Sequence, residues 1–253
     1  MKFSRVAVII YPLLIWLLAQ AYFIWPEVLY ISLAVSLVLT LATSFAIKSP
    51  ERDLPWWLPA ILPIFFITAM TIYVALQPSW ILVQLLFLVL LIFIFNYYKN
   101  LYYFWQRPDL YEEEDNTRIE AYGGFLTIFL AAADLYGLQS LLSLTVWPMM
   151  IIFTVIVLVI AYLNLNLKNQ DRKTIWQFAA MITFLIIEMA LVFVFLPLSY
   201  NVSALSLGIV YYLLINLSRL YLQQALTNKK IKLYLIISYT GLAILLFTAR
   251  WLN

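Results

Sequence analysis

The stretch ITFLIIEMALVFVF at positions 182–195 decides the fold, because it is long and apolar and only one acid interrupts it. Thirteen of its fourteen residues suit, or nearly suit, a hydrocarbon environment, whereas Glu188 has no counter-charge nearby in the sequence. Similar runs fill most of the chain, which is 66% hydrophobic and 11% charged, whereas ordinary soluble domains are about 25% charged. We therefore predict that the protein lies in lipid. The runs lack two-residue alternation, which predicts an all-α, polytopic membrane protein rather than a β-barrel.

Nine apolar runs are long enough to span a bilayer, which takes about 20 residues per helix. Prolines at four tight turns and clusters of charged residues separate them. The predicted spans cover residues 6–25, 27–47, 55–76, 79–99, 119–143, 147–167, 174–196, 201–222 and 232–250. Pro63 is expected to kink the third helix, and the sequence from Thr117 to Glu120 has the pattern of a capping box that opens the fifth.

The basic residues predict the orientation of these spans. With a cytoplasmic N-terminus, fourteen Lys and Arg residues fall on the cytoplasmic side and only Arg250 falls on the other, as the positive-inside rule requires. We therefore predict a multi-pass protein of the plasma (inner) membrane with an external C-terminus. No small-residue cleavage site ends the first apolar run, so this run is predicted to be a membrane helix rather than a signal peptide. The net charge of +3 is thus a topology signal and does not indicate a nucleic-acid partner.

An internal repeat is predicted by sliding the chain along itself. The matches that topology does not force are Asn96 with Asn216 at an offset of 120 and Trp25-Pro26 with Trp147-Pro148 at an offset of 122. We predict two parallel four-helix repeats, residues 1–105 and 119–224, followed by a C-terminal helix within 225–253. Chance alignment of leucine-rich stretches is the alternative. Residues 106–118 are predicted to form a cytoplasmic linker, whose acidic run EEED is a candidate docking site for a basic protein partner, although a solvated linker is the simpler interpretation.

Two acids inside predicted spans, Asp134 and Glu188, are the candidate ion-binding site. Each lies fourteen or fifteen residues into its predicted helix, which is roughly 21–23 Å along the helix axis. An acid at bilayer depth costs about 2.5–3.5 kcal/mol and usually faces the bundle interior or a watery cavity. We expect Asp134 to lie on a face of small residues such as Ala131, and we expect bulky neighbours, Phe184 and Val192 among them, to seal Glu188. If the two acids meet in one polar pocket, they should share one proton.

Three further polar residues are secondary candidates. Asn96 and Asn216 lie near the predicted cytoplasmic ends of their helices, and Thr68 matches Glu188 at the offset of 120. The symmetric asparagines suit equivalent helix contacts better than substrate binding.

These features predict a transporter-like protein whose buried acids bind protons or cations. The structural alternative is that each acid is protonated and hydrogen bonded to a neighbouring helix. Two other functions stay open. One is a structural or assembly subunit of a membrane complex, and the other is a membrane enzyme acting on lipid or lipid-linked sugar. The chain has no His or Cys, and it has no P-loop or GxSxG motif. We therefore expect no metal and no cofactor, and a function other than catalysis is favoured.

Overall fold

The computed structural model describes residues 2–49, 55–166 and 171–249, which form nine long helices and no strands. The helices are α1 Lys2–Ile24, α2 Leu29–Ile47, α3 Ile61–Ala75, α4 Trp80–Gln106, α5 Glu113–Leu142, α6 Val146–Leu165, α7 Arg172–Val194, α8 Tyr200–Leu222 and α9 Asn228–Thr248. Short 3₁₀ turns precede α2, α3 and α5. Each of the nine helices in the described ranges contains a stretch that is long and apolar enough to cross a membrane. The predicted all-α polytopic membrane fold is confirmed.

Four residues used for the predicted orientation lie outside the described residues, namely Met1, Arg52, Lys168 and Arg250. The surface that is described is strongly apolar. Trp147 is 71% exposed, Phe195 is 84% exposed and Phe247 is 91% exposed. Exposed apolar surface on this scale is stable in a bilayer and would be an aggregation hazard in water.

The connection between α4 and α5 differs from the prediction. The predicted linker 106–118 is largely helical, because α5 begins at Glu113. The predicted capping box is therefore wrong, since Thr117 and Glu120 lie inside α5. Glu112 and Asp115 lie at the N-terminus of α5, where negative charge is stabilised by the helix dipole. This charge explains why the helix begins earlier than the apolar pattern does.

The predicted kink at Pro63 is replaced by a 3₁₀ turn, Leu58–Ala60, that precedes α3. Pro63 then lies in the first turn of α3, where a missing N–H costs little. In a continuous helix, an N–H at position 63 would bond to the Pro59 carbonyl oxygen. Instead, the Tyr97 hydroxyl of α4 donates to this oxygen at 2.7 Å. The chain therefore compensates for Pro63 with a contact between helices.

The chain forms two compact units, Met1–Gly123 (unit 1) and Gly124–Asn253 (unit 2), whose boundary falls within α5. In unit 1, α1 packs against α2 and α4, and α3 packs against α2 and α4. In unit 2, α7 packs against α6 and α8, α6 also contacts α8, and α9 packs against α8. The predicted repeat limits and the duplication itself stay predictions.

Candidate functional site

Asp134 lies in the most buried stretch of α5. Residues 130–137 are all buried, and Asp134 is 6% exposed. The three alanines at 131–133 are short, which allows neighbouring helices to approach closely. In the described part of the chain, the buried carboxyl oxygen Oδ1 has no hydrogen-bond partner. The charged form of this side chain therefore has nothing at Oδ1 to offset the loss of water.

The contact between α5 and α7 shows which way Asp134 faces. The Tyr136 hydroxyl donates to the Ala190 carbonyl oxygen of α7 at 2.9 Å. Asp134 precedes Tyr136 by two positions, which is about 200° around a helix. Asp134 therefore faces away from α7, the helix that carries Glu188. The structure does not bring the two acids together.

Glu188 is exposed, and so are Phe184 and Val192 one turn to either side, at 63% and 59%. The prediction that bulky neighbours seal Glu188 is therefore wrong. The reason is that α7 buries a different stripe of its surface, which includes Ile186 and Ala190. Glu188 is two positions from each of these residues and so lies on the opposite face.

The secondary candidates all bond within their own helices. The Asn96 amide donates to the Ile92 carbonyl oxygen at 2.8 Å, and the Asn216 amide donates to the Tyr212 carbonyl oxygen at 2.7 Å. The Thr68 hydroxyl donates in the same way, to the carbonyl oxygen four residues earlier, at 2.8 Å. Each has a local structural use, and a role for any of them in ligand binding stays a prediction.

A buried polar cluster in unit 2 was not singled out from the sequence. The Arg219 side chain is only 3% exposed, and its Nε donates to the Asn164 carbonyl oxygen at 2.6 Å. The Asn164 amide nitrogen Nδ2 in turn donates to the Tyr211 hydroxyl at 2.8 Å. Gly124 of α5 lies against this amide, where a Cβ atom would overlap Nδ2. No sequence signal joins these residues, because Arg219 and Asn164 are 55 positions apart.

In unit 1, α2 buries hydroxyl side chains almost exclusively. Its buried residues are Ser32, Ser36, Thr40, Thr43, Ser44 and Ile47, and we call the five hydroxyl residues the hydroxyl seam. The Tyr11 hydroxyl lies 2.7 Å from Thr40 Oγ1, and the Tyr98 hydroxyl lies 3.1 Å from Ser44 Oγ. Spacing of three or four residues between the hydroxyls is the signal in the sequence that could have revealed this face.

A small cavity lies at the Ser32 end of the hydroxyl seam, and its wall includes Ser36, Thr71 and Tyr22. Its volume of about 10 Å³ is room for about one water molecule. The polar wall and the small volume suit a single buried water. Within the described residues, no group of three or more acids is placed to hold a metal ion.

No family model, no curated protein and no solved structure matches this chain. The fold defines the class, which is an all-α, multi-pass membrane protein. Clues to its function therefore lie in its own residues, above all in the buried carboxyl group of Asp134.

Proposed function

We propose that the protein is a transporter-like membrane protein in which Asp134 reversibly binds a proton. The observation that carries the proposal is the buried carboxyl oxygen of Asp134, which has no hydrogen-bond partner in the described part of the chain. An unpaired charge at bilayer depth costs about 2.5–3.5 kcal/mol, and interhelical hydrogen bonds return only about 0.6 kcal/mol on average. Without even that bond at Oδ1, a purely structural role explains Asp134 poorly.

A proton is favoured over a metal cation as the occupant. A proton needs one carboxylate, whereas hard cations such as Ca²⁺ take about six to eight oxygen ligands. Alanines occupy the three positions before Asp134, so its own helix supplies no side-chain oxygen there. Protonation would remove the charge and lower the cost of keeping Asp134 in apolar surroundings. Deprotonation would favour a conformation in which water reaches the side chain, and this difference couples the proton to opening.

Three other elements complete the proposal. The N-terminus lies in the cytoplasm and the C-terminus outside, in the plasma (inner) membrane, as the basic residues indicate. The two four-helix repeats are parallel copies, and α9 is an addition. Asn96 and Asn216, at equivalent positions, make the same local hydrogen bond, which is compatible with duplication.

Proton binding can be tested without knowing the transported substrate. Infrared spectra of the purified protein in liposomes would be recorded during a pH titration, and the carboxyl C=O stretching band would be compared between wild type and Asp134→Asn. We expect a protonated-carboxyl band at neutral pH that Asp134→Asn lacks. A second readout is proton uptake into liposomes containing a pH-sensitive dye, which Asp134→Asn should reduce and Asp134→Glu should partly retain.

Glu188→Gln is the matched control, because it removes the other acid at similar depth. It should leave the infrared band in place. An Asp134→Asn spectrum identical to that of wild type would refute proton binding at this residue. A band lost only in Glu188→Gln would move the site to Glu188.

A further inference from the structure

An acid at bilayer depth on an outward-facing surface needs its own explanation. Glu188 lies six residues before the end of α7 at Val194, which is about 9 Å along the axis. The short side chain of glutamate cannot cover that distance to reach water, unlike the long stems of Lys and Arg. Within the described residues, Glu188 takes part in no hydrogen bond or ion pair.

The surroundings of Glu188 form a continuous apolar face. Met181, Phe184 and Val192 lie on the same side of α7 and are 50%, 63% and 59% exposed. Facing lipid, this surface would hold a carboxyl group in hydrocarbon. Ionisable residues in membranes instead face other protein or water and pair with one another.

We propose that this face of α7 docks a transmembrane helix of another protein that carries a Lys or Arg at the depth of Glu188. Charge complementarity selects this occupant. A basic side chain in hydrocarbon is as costly as the acid, so pairing removes both penalties at once. The apolar residues around Glu188 would exclude water and lipid from the ion pair. The proposal is independent of proton binding at Asp134, because Asp134 is buried whereas Glu188 is exposed.

A second copy of this chain fits the surface less well. A symmetric pair through α7 would bring two Glu188 carboxyl groups together, which is unfavourable unless one is protonated. In unit 2, Arg219 of α8 is buried and bonded to Asn164. Lys232 of α9 is exposed, but it lies only four residues after α9 begins at Asn228, whereas Glu188 lies sixteen residues after α7 begins at Arg172. Among the described residues of unit 2, the exposed basic side chains therefore lie near helix ends and not at the depth of Glu188.

The test uses a synthetic host helix of leucine and alanine with one Lys at the matching depth. The full-length protein and the labelled peptide are reconstituted in phosphatidylcholine liposomes, and association is followed by energy transfer. The matched peptide carries Leu in place of Lys. We expect the wild-type protein to bind the Lys helix about tenfold more tightly than the Leu helix, the scale of polar contacts between model membrane helices. Glu188→Leu should abolish the preference and Glu188→Gln should weaken it. The control Ile236→Leu, at an exposed position of α9 away from this face, should leave it unchanged.

Equal binding of the two peptides to wild type would overturn the proposal. So would a preference that survives in Glu188→Leu, because the contact would then lie elsewhere. Self-association of labelled protein that is lost in Glu188→Leu, without preference for the Lys helix, would assign the face to a second copy and would also overturn it. Asp134→Asn keeps the Lys preference if the two acids act separately.

Discussion

Gly124→Ala should destabilise unit 2, because α5 approaches α6 closely at this glycine. A Cβ at position 124 would overlap Asn164 Nδ2 and would lie 3.2 Å from the Tyr211 hydroxyl and 3.3 Å from Asn164 Cγ. The amide must then move, and its hydrogen bond to Tyr211, now 2.8 Å, is lost or strained. The backbone carbonyl of Asn164 also accepts Arg219, so the displacement is resisted.

The magnitude follows from three terms. Overpacking of a core position costs about 1–3 kcal/mol, and loss of an interhelical hydrogen bond costs about 0.6 kcal/mol. Alanine is favoured over glycine in a helix by about 1 kcal/mol. The net loss expected for Gly124→Ala is therefore about 0.6–2.6 kcal/mol. The control is Gly241→Ala in α9, where the nearest atom to the new Cβ is Ile209 Cδ1 at 3.7 Å, an ordinary contact. It should be neutral or slightly stabilising.

Stability would be measured by titrating the purified protein in mild detergent with sodium dodecyl sulfate and following far-ultraviolet circular dichroism. The double variant Gly124→Ala with Asn164→Ala removes the side chain that would collide with the new methyl group. Its loss should be smaller than the sum of the single losses by more than about 0.5 kcal/mol, the usual limit of additivity. If Gly124→Ala is as stable as Gly241→Ala, the close approach of α5 to α6 is not present in the folded protein.

Other consequences are open to the same kind of measurement. Gln20 and Gln84 form two reciprocal amide hydrogen bonds, 2.7 and 3.2 Å long, so Gln20→Leu should destabilise by about 1–2 kcal/mol while the double leucine variant recovers most of the loss. Tyr98→Phe should cost more than Tyr11→Phe in detergent unfolding. The two hydroxyls contact each other, but the Tyr98 hydroxyl also contacts the Ser44 hydroxyl and the Thr40 carbonyl oxygen, whereas the Tyr11 hydroxyl also contacts only Thr40 Oγ1. The chain contains no Cys, so Leu144→Cys places a single thiol between α5 and α6. A membrane-impermeant maleimide should label this thiol in intact cells, because the proposed orientation puts residue 144 outside. Labelling only after permeabilisation would reverse the proposed orientation.

Hydropathy and length were enough to predict which segments become helices. All nine predicted spans overlap helices of the described structure. In lipid the backbone must satisfy its own hydrogen bonds, and a continuous apolar run does so by forming a helix. Helix ends were less predictable, since several local signals compete there. At α5 the acidic run begins the helix at Glu113, ahead of the capping pattern that starts at Thr117. At α3 the expected kink at Pro63 is replaced by a 3₁₀ turn at Leu58–Ala60, and the Tyr97 hydroxyl donates to the Pro59 carbonyl oxygen.

The candidate site was predictable only in part. Asp134 stands out in any apolar run, and its small neighbours indicate close packing. The cluster of Asn164 and Arg219 was not predictable. In the sequence, Asn164 looks like a polar residue at the membrane interface, and Arg219 looks like one of the basic residues that set the orientation. Their pairing depends on how α6 and α8 pack, and nothing local to either residue encodes it.

The two acids show which part of a membrane helix a sequence leaves undetermined. The rise per residue predicts similar depths for Asp134 and Glu188, and their depth in a membrane stays a prediction. Asp134 lies eight residues before α5 ends at Leu142, and Glu188 lies six residues before α7 ends at Val194. Rotation about the helix axis is set by neighbouring helices, and α5 and α7 differ there. Residues 130–137 of α5 are buried on every side, so any acid among them must be neutralised within the protein. The α7 helix buries one stripe and exposes Glu188 outside it, which is why we propose an external partner for that acid. The opposite exposure of the two side chains favours the two separate roles proposed for them, an internal proton site at Asp134 and an external contact at Glu188, over one shared pocket.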